Sequence, residues 1–476
     1  MRTLLSCLAI SAVFLPTRAF AQDAEPEQPQ LFVSAERLIL APGQVLEPGQ
    51  VLIKDGVIVA VGQDLEAPEG ATQVSGQVVC PGFIDPWSAL GLDAASQGNS
   101  SADMGARAAD AVDVFNGGHL RMEALGAGVT TVRAQIARGA LESGPGTMLK
   151  LAGDTRDSAI LLEEAAAGAS IGLSTIGGGR FVQDANGNFV FQGGAQATDP
   201  FDRLSQVDRL VSDLEAGRKY AQDLIEFRYE LEEWEKEIAK KEEELDKDFK
   251  KAKKARDKDV KKAEEDGKEH KEKKYKEDKK PTPPKYDLAR ETLGRIANGE
   301  LPLFVQVHRV AEIRELLKST ERFSRLRLMI AGGTEAMTCA EALAERKIPV
   351  IVWPTLLEDT GKEGYDEFDS HELTLAGQLA AAGVPVLLGS GGENPRATRD
   401  LPLLAALAIG HGLDRDRAFA ALTLKAAEAL DVADRVGSIA FGKDADLQVL
   451  DGEPLVSTTR VQYVIADGTI VVSPEN

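Results

Sequence analysis

Apolar and polar positions alternate in short runs at both ends of the chain, a pattern typical of β-strands. Near the N-terminus the runs are LFVSAERLI, VLIKDGVIVAVG and ATQVSGQVVCPGFID, and the chain closes with RVQYVIADGTIVV. KDG at 54–56 and DG at 467–468 each separate two such runs, which indicates tight hairpin turns. We predict one small composite domain, a β-sandwich built from residues 31–80 and 435–476.

Between these ends the pattern changes to repeated βα units. LRMEALGAGVTTVRAQ predicts a helix, a stop marked by Gly126 and Gly128, and a buried strand over Val129–Arg133. The same order recurs in LPLFVQVHRVAEIRELLKST, LRLMIAGGTEAMTCAEALAERKIPVIVWP and LTLAGQLAAAGVPVLLGSGG. Apolar strands that alternate with helices favour a parallel sheet covered by helices. The predicted fold class is α/β, a (β/α)8 TIM barrel over residues 81–225 and 285–434, with an open doubly wound sheet as the alternative.

Residues 226–284, which consist almost entirely of Lys and Glu, interrupt the predicted barrel. Leu231, Trp234, Ile238 and Leu245 fall on heptad-like positions. Mixed charges at helical spacing predict a long exposed helix that ends at a proline-rich stretch. Two interpretations stay open, a solvated helical insertion and a coiled-coil arm that binds a partner. We expect deletion of the insertion to leave the cooperative unfolding of the barrel nearly unchanged.

A shorter segment, FVQDANGNFVF, carries Asp184, Asn186 and Asn188 in the alternation of half a calcium loop. The distal glutamate of such a loop is missing at the proper offset. Asn186-Gly187 is typical of a two-residue turn between strands. The sequence therefore favours a surface hairpin over a calcium site.

The N-terminus has the composition of a signal peptide over residues 1–21. Arg2 supplies the positive start, an apolar run covers Leu4–Leu15, and AFA is a small-x-small cleavage site. We predict export and cleavage after this site, followed by a flexible leader over residues 22–30. An uncleaved anchor is the alternative.

The chain is acidic and poor in aromatic residues, with a formal net charge of −21 and 5% Phe, Trp and Tyr. Such a surface repels a phosphate backbone, which excludes nucleic acid as a partner. No run after the signal peptide is long enough to cross a membrane. Only Cys80 and Cys339 remain there, and we expect two free buried thiols. An exported protein without disulfides fits the bacterial periplasm.

Several segments resemble the amidohydrolase superfamily, in particular its imidazolonepropionase-like branch. They are VLIKDGVIVAVG, VVCPGFID, AGVTTVR, VGSIAFGKDADLQVLDG and RVQYVIADGTIV, and the resemblance covers nearly the whole mature chain. It implies a metal-centred (β/α)8 barrel with a composite β-sandwich. It also implies hydrolysis of C–N bonds other than peptide bonds, in cyclic amides, ureas or amino-substituted rings.

The resemblance also implies a metal at the C-terminal barrel face, held by an HxH pair, later histidines and an aspartate. His308 stands at one of these positions, but the others hold side chains that bind no catalytic metal. They are Trp87, Ala89, Gln306, Gly332 and Gly391. A catalytic zinc takes three protein ligands. We therefore expect no metal cofactor, and zinc or another divalent metal only if the family site persists.

Asp85 and His308 are the candidate catalytic residues, as a general acid–base pair that needs no metal. In the alternative interpretation Asp85 caps the turn that follows it, and His308 donates to a backbone carbonyl. Ser390 in GSGG lacks the GxSxG spacing of a nucleophile.

The predicted binding pocket surrounds this pair. Its residues are Trp87, Arg133, Gln306, Glu335 and Glu393. A hard cation held by Asp85, Glu335 and Glu393 is a further alternative.

Three hypotheses on function follow. The first is a hydrolase of C–N bonds, supported by the family resemblance. The second is a non-catalytic relative, a pseudoenzyme that binds a small molecule or a homologous amidohydrolase subunit in a homo- or hetero-oligomer, supported by the missing ligands. The third is a structural role of the charged insertion.

Overall fold

The computed structural model describes residues 30–93, 103–115, 117–136, 141–172, 180–183, 189–192, 200–263, 279–356, 368, 370–392 and 394–474. The predicted signal peptide and nearly all of the leader lie outside the described residues. The strands are β1 (Leu31–Ala41), β2 (Gln44–Leu46), β3 (Gly49–Lys54), β4 (Val57–Gly62), β5 (Thr72–Pro81), β6 (Phe83–Ser88), β7 (Val129–Ala134), β8 (Glu142–Pro145), β9 (Thr147–Lys150), β10 (Ile160–Leu162), β11 (Ala167–Ser170), β12 (Arg180–Gln183), β13 (Phe189–Gln192), β14 (Leu303–Val307), β15 (Leu328–Gly332), β16 (Val350–Val352), β17 (Val386–Leu388), β18 (Leu447–Leu450), β19 (Val461–Ala466) and β20 (Thr469–Val472). The helices are α1 (Gly118–Gly126), α2 (Arg156–Ala159), α3 (Pro200–Ala263), α4 (Leu288–Ala297), α5 (Val310–Thr320), α6 (Ala340–Glu345), α7 (Leu375–Ala381), α8 (Leu401–Gly410), α9 (Arg415–Ala421) and α10 (Leu424–Ala429).

Strands from both chain ends form one eight-stranded sheet, in the order β20-β19-β18-β5-β1-β3-β4 with β2 paired to β1. β5 lies parallel to β1 and antiparallel to β18, so it joins the N-terminal strands to the C-terminal ones. The described strands of the two chain ends therefore make one continuous hydrogen-bonded sheet, and the predicted sandwich stays a prediction. Its apolar core includes Val33, Val51, Val79 and Val449.

The two predicted tight turns are confirmed. Asp55 and Gly56 join β3 to β4 with φ of 52° and 79°, and Asp467 and Gly468 join β19 to β20 with φ of 47° and 71°. Positive φ at both central residues matches the twist of a two-residue hairpin, and Asp-Gly tolerates it best. The turns touch, because a Cβ atom added at Gly56 would lie 3.1 Å from the carbonyl oxygen of Asp467.

The central part of the chain folds into the predicted βα units. β11, β14, β15, β16 and β17 form a parallel ladder in this order, and β6 lies parallel to β7 in a second sheet. Each of α1, α5, α6 and α7 precedes or follows its strand as the pattern predicted. The fold is therefore mixed α/β.

Alternate residues of the parallel strands face two different apolar clusters. Val305 and Ile330 pack with the covering helices, whereas Phe304, Met329 and Ile351 pack into a second cluster. The second cluster also takes in side chains from β6, β9 and β17, which belong to both sheets. The two sheets therefore curve around one apolar interior.

The segment Glu142–Lys150 departs from the predicted parallel pattern. Its first half, β8, runs antiparallel to β11, and its second half, β9, runs antiparallel to β7. Gly146 stands between the halves, and its N–H donates to the carbonyl oxygen of Ala166 at 3.1 Å. A parallel crossover needs about a dozen residues, but only residues 135–141 separate β7 from β8. The chain therefore reverses, and one segment joins both sheets.

The charged helix is longer than predicted, because α3 begins at Pro200 instead of at residue 226. Its first turns bury Val207, Leu210 and Leu214 against the core. The prediction followed the Lys and Glu composition, which misses the part of the helix that has an apolar face. α3 crosses α4 closely, since a Cβ atom added at Gly294 would lie 2.8 Å from the carbonyl oxygen of Gly217.

β12 and β13 pair antiparallel with Gln183 opposite Phe189, which confirms a hairpin in this segment. The described strands leave residues 184–188 between them, and these lie outside the described residues together with the proposed turn and the alternative calcium site. Cys80 and Cys339 are free and buried, as predicted. Within the described ranges, no helix combines the length and the apolar character that a membrane crossing requires.

Candidate functional site

Asp85 lies on β6, a strand whose six residues are all buried. Its oxygen Oδ1 accepts hydrogen bonds from the backbone N–H groups of Trp87 and Ser390, each at 3.1 Å. The other oxygen, Oδ2, is buried without a hydrogen-bond partner among the described residues. Burial raises the pKa of Asp85 to about 6, against the lowering effect of Ser390, Trp87 and Thr398. Asp85 thus bonds within its own strand, where the pairing of β6 with β7 is irregular between Asp85 and Ser88, and it links β6 to the end of β17.

Buried hydroxyl groups surround this carboxylate, and those of Ser390 and Thr398 lower its pKa through side-chain hydrogen bonding. Ser88 and Thr398 share a hydrogen bond of 2.7 Å between their hydroxyl oxygens. Ser390 Oγ donates to the carbonyl oxygen of Trp87 at 3.1 Å. Among the described residues no backbone ladder joins β17 to β6; the bonds of Ser390 connect the end of β17 to β6, beside the apolar packing of Leu387 with Ile84 and Trp87. Its hydroxyl therefore has a structural role.

Trp87, Phe304 and Arg133 form a stacked group in the apolar interior. The Trp87 indole meets the Phe304 ring edge-on, with 5.8 Å between ring centroids. The guanidinium carbon of Arg133 lies 4.2 Å from the centroid of the same Phe304 ring. A cation over an aromatic face is attracted by the ring quadrupole. The structure thus brings two predicted pocket residues, Trp87 and Arg133, to one aromatic ring.

Arg133 is fully buried on β7. Its Nη2 donates to the carbonyl oxygen of Ala166 at 2.6 Å and to Oε1 of Gln135. Nε and Nη1 have no hydrogen-bond partner in the described part of the chain. Burial lowers the pKa of Arg133 to about 9, which leaves a cation at neutral pH. A buried cation with unpaired donors is costly, and a bound acceptor or anion would relieve that cost.

His308 follows β14 and is 5% exposed. Its Nδ1 shares a hydrogen bond of 2.8 Å with the hydroxyl of Thr334, and its ring packs on Phe368 with 4.7 Å between centroids. None of the described contacts joins His308 to Asp85, and their strands are not neighbours in either sheet. The structure therefore does not assemble the predicted acid–base pair into a hydrogen-bonded unit.

The remaining predicted pocket residues have separate locations. Glu335 Oε2 accepts a 2.7 Å hydrogen bond from the backbone N–H of Val310, the first residue of α5. Glu335 thus caps a helix, where its negative charge is favoured by the helix dipole. Gln306 is half-buried on β14, opposite Ser170 in the ladder. Glu393 lies outside the described residues, and with it the alternative cation set.

Two of the ligand positions implied by the family resemblance are glycines with positive φ, 81° at Gly332 and 92° at Gly391. A Cβ atom added at Gly332 would lie 2.3 Å from Cε1 of His308, and one at Gly391 would lie 2.7 Å from Cδ2 of Trp353. Aromatic rings therefore fill the space that ligand side chains would need at both positions. A left-handed backbone also disfavours any residue but glycine there.

These side chains do not fit the metal that the family implies. No group of three or more His, Cys, Asp and Glu side chains is arranged to hold a metal ion within the described ranges. The first ligand position holds Trp87, whose indole Nε1 would lie 2.3 Å from a Cβ atom added at Gly392. A zinc site takes three nitrogen, sulfur or oxygen ligands from the protein, and the described residues near His308 do not provide them.

Sequence reasoning missed an ion cluster where β9 meets the sheet formed by the two chain ends. Lys150, the last residue of β9, lies 2.5 Å from Asp444 Oδ2 and 3.4 Å from Asp446 Oδ2, and it also pairs with Asp467. Burial lowers the pKa of Lys150, but these carboxylates raise it by more, so that its pKa is raised overall. Burial also raises the pKa of Asp446 to about 6. We call Lys150 and these three aspartates the junction cluster; GKDAD contains two of them, but no local pattern pointed to Lys150.

The parallel strands are covered by helices and surround one apolar interior, and polar side chains lie at the strand ends. This is a mixed α/β architecture of a kind common among enzymes. The profile of the amidohydrolase family matches residues 78–472. The chain therefore belongs to the amidohydrolase family, which confirms the resemblance. A search of the curated proteins found no match.

Solved structures of similar fold cover nearly the whole chain. An amidohydrolase from Thermotoga maritima MSB8 is 22% identical with a TM-score of 0.64, over 92% of this chain and 99% of that chain. The A. niger ochratoxinase is 16% identical with a TM-score of 0.51, over 94% of this chain and 97% of that chain. At such identities the likeness concerns the fold, and it agrees with the mixed α/β architecture.

Proposed function

We propose that this chain is a non-catalytic member of the amidohydrolase family that binds a small polar molecule inside its barrel. The observation that carries the proposal is the pair of glycines at implied ligand positions, where the rings of His308 and Trp353 occupy the space of the missing side chains. The backbone also disfavours a metal-binding side chain at these two positions, because Gly332 and Gly391 have positive φ.

The (β/α)8 barrel is part of this proposal. β6, β7, the segment Glu142–Lys150, β11, β14, β15, β16 and β17 supply eight strand positions around one interior. The bonds of Ser390 to β6 support closure of the ring. Residues 31–80 and 435–476 then form the composite domain at its side.

The interior supports a polar ligand. Arg133 offers two buried N–H donors, and Asp85 offers a buried acceptor oxygen, each without a described partner. Trp87 and Phe304 supply an apolar wall next to Arg133. Such a site suits a small molecule with a carboxylate or carbonyl group for Arg133. An exported, periplasmic protein of this kind would act as a binding protein or as the partner of an active homologous subunit.

Metal content and ligand binding test the proposal together. We expect elemental analysis of the dialysed protein to find far less than one zinc ion per chain. A thermal-shift screen of cyclic amides and dipeptides should give ligands that raise the Tm of the wild type but not of Arg133→Met. One or two tightly held zinc ions per chain would contradict the proposal.

Glycine substitutions test whether the ligand positions are closed. Gly332→Ala and Gly391→Ala should each lower the free energy of unfolding by about 2–4 kcal/mol, because the Cβ atom is both strained and crowded. Gly43→Ala is the matched control, since Gly43 has φ of 76° with no atom within 4 Å of the added Cβ. It should cost only about 1 kcal/mol. Equal effects at the three sites, measured by urea denaturation, would show that the rings give way easily.

A second candidate function is metal-free hydrolysis of a C–N bond by Asp85 and His308. The observation in its favour is the pKa of Asp85, raised by burial to about 6, within the range of a general base. Hydrolysis of a cyclic amide that persists in the presence of a chelator and disappears in Asp85→Asn would establish this function. If the zinc-free wild type shows no turnover, metal-free hydrolysis is ruled out and the binding function is favoured.

A further inference from the structure

The charged helix α3 extends far beyond the body of the protein. At 1.5 Å per residue its 64 residues are about 96 Å long. Its first part is buried in the core, but from Gln222 onwards the described side chains are exposed or half-buried. We call residues 226–263 the arm.

The chain returns along the base of the arm in an extended form. Lys280 Nζ lies 5.7 Å from the Trp234 ring, and the backbone N–H of Asp287 donates to the Tyr220 hydroxyl at 3.3 Å. Trp234 and Tyr220 are about 21 Å apart along a helix, and Lys280 to Asp287 spans about 22 Å as polyproline II. These lengths match, so the return segment lies beside the helix up to Trp234.

The two halves of the arm have opposite charge. Residues 226–246 contain ten acidic and four basic residues, a net charge of −6. Residues 247–263 contain three acidic and nine basic residues, a net charge of +6. The following residues 264–280 contain seven of each and add no net charge.

We propose that the arm is a dimerisation element that pairs antiparallel with the arm of a second copy of this chain. An antiparallel pair places the acidic half of each arm against the basic half of the other, whereas a parallel pair places like charges together. The charge distribution of the arm is therefore complementary to that of a second, antiparallel copy.

The heptad positions are compatible with the same register but do not select it. Leu231, Ile238 and Leu245 stand at a positions, and Trp234 and Ala255 stand at d positions. When the boundary between residues 246 and 247 lies on the twofold axis, a positions face d positions of the partner, as in antiparallel coiled coils, and Ile238 meets Ala255. Leu231, Trp234 and Leu245 then face charged residues of the partner, which are Lys262, Asp259 and Asp248, and Trp234 is also contacted by Lys280 of its own chain. The proposal therefore rests on the charge pattern of the arm.

The positions that flank this seam also carry complementary charges. In this register Glu237 faces Lys258 and Glu244 faces Lys251, and each contact occurs twice in the dimer. Glu237 and Glu244 make no ion pair within the described part of the arm. Its described ion pairs, such as Lys247 with Glu243 at 2.7 Å, lie away from the seam. The flanking glutamates are thus available to a partner.

The proposed dimer holds its two bodies apart. From Tyr220 to the twofold axis the helix rises by about 40 Å, so the two barrels would lie about 80 Å from each other. The barrel openings stay accessible, and the dimer does not depend on ligand binding there.

Charge-swap variants of the full mature chain test the proposal. Sedimentation velocity should show a dimer of the wild type. Glu237→Lys/Glu244→Lys and Lys251→Glu/Lys258→Glu should each dimerise at least about tenfold more weakly, because the four contacts of Glu237 with Lys258 and of Glu244 with Lys251 become repulsive. An equimolar mixture of the two variants should recover the dimer, because these four contacts again join opposite charges.

The control is Lys250→Glu/Lys254→Glu, which makes the same net charge change in the basic half but on the face away from the seam. It should dimerise like the wild type, within about threefold. At 0.5 M salt, where the Debye length is about 4 Å, the wild-type dimer should weaken. A wild type that stays monomeric up to about 100 μM, or a dimer that the seam variants leave unchanged, would overturn the proposal.

Disulfide trapping tests the orientation. The native Cys80 and Cys339 are buried and give little background. Oxidation of a mixture of Glu237→Cys and Lys258→Cys chains should give a cross-linked dimer, whereas neither variant alone should do so. Efficient cross-linking of Glu237→Cys with itself would indicate another arrangement and overturn the antiparallel pair.

Discussion

Two buried cations lie on neighbouring strands, and their surroundings are opposite. Lys150 on β9 has three carboxylates around it in the junction cluster, whereas Arg133 on β7 has an aromatic ring, a carbonyl and an amide. Lys150 is 3% exposed and Arg133 is 0% exposed. The pKa of Lys150 is raised by its carboxylates, and the pKa of Arg133 is lowered by burial to about 9.

This difference indicates that Lys150 has a structural role, whereas the burial of the Arg133 charge needs another explanation. A buried cation with close anions holds two parts of a fold in register, here β9 and the sheet formed by the two chain ends. A buried cation without anions costs free energy that the fold alone does not recover. Such groups concentrate at functional sites, which is why Arg133 is central to the proposed ligand site.

The largest effect is expected at the junction cluster. Lys150→Met should lower the free energy of unfolding by about 3–5 kcal/mol at pH 7, because the buried Asp446 loses its counter-ion, whereas Asp444 keeps its ion pair with Arg435. Urea denaturation measures this loss. The control Lys425→Met removes an exposed ion pair with Glu428 and should change stability by at most about 0.5 kcal/mol. If Lys150→Met lowers the free energy of unfolding by less than about 1 kcal/mol, the carboxylates must become hydrated in the variant.

An intermediate, pH-dependent effect is expected at Asp85. Its pKa is about 6 in the folded protein and about 4 in an unfolded chain. Ionisation therefore favours the unfolded state, and stability is lost as the pH rises from about 4 to 6. Asp85→Asn removes this term, so its stability relative to the wild type should improve by about 2–3 kcal/mol between pH 4 and pH 7.

Urea denaturation at several pH values measures this change. The control is Asp64→Asn, at an exposed position, which should show no such dependence. Parallel pH profiles of the wild type and Asp85→Asn would contradict the buried, incompletely paired carboxylate.

The smallest effect on stability is expected at Arg133. Arg133→Met should change the free energy of unfolding by no more than about 1 kcal/mol in the absence of ligand. The variant loses the contact with Phe304 and two hydrogen bonds, but it also loses an unpaired buried charge. A decrease of more than about 3 kcal/mol would place Arg133 with Lys150 as a structural cation.

Periodicity made much of the fold predictable. The turns at Asp55 and Asp467 and the parallel βα units each have a local cause in turn chemistry or in apolar spacing. The antiparallel segment Glu142–Lys150 was missed, because its direction depends on how short the connection from β7 is, which local propensity does not report. The start of α3 was missed for a similar reason, since the burial of its apolar face depends on tertiary packing against the core.

The candidate site was predictable in part. The sequence offered Asp85 as the cap of the turn that follows it, but its bond to Trp87 lies within β6, and its second bond, to Ser390, crosses to the end of β17. The helix-capping role of Glu335 depends on the packing of α5 beside the segment after β15. The junction cluster joins Lys150 to residues nearly 300 positions later in the chain, as its contact with Asp446 shows, and no motif spacing encodes such a contact.

Tyr220 and Asp287 touch, so the chain leaves the body and comes back at one point. The entropic cost of closing a loop of n residues is only about (3/2)RT ln n. The length of the segment between these two neighbouring residues therefore has little effect on stability. Whole helical turns could be gained or lost beyond these anchors while the remainder folds as before. In the proposed dimer, the span between the two molecules is thus adjustable during evolution, independently of the proposed ligand site.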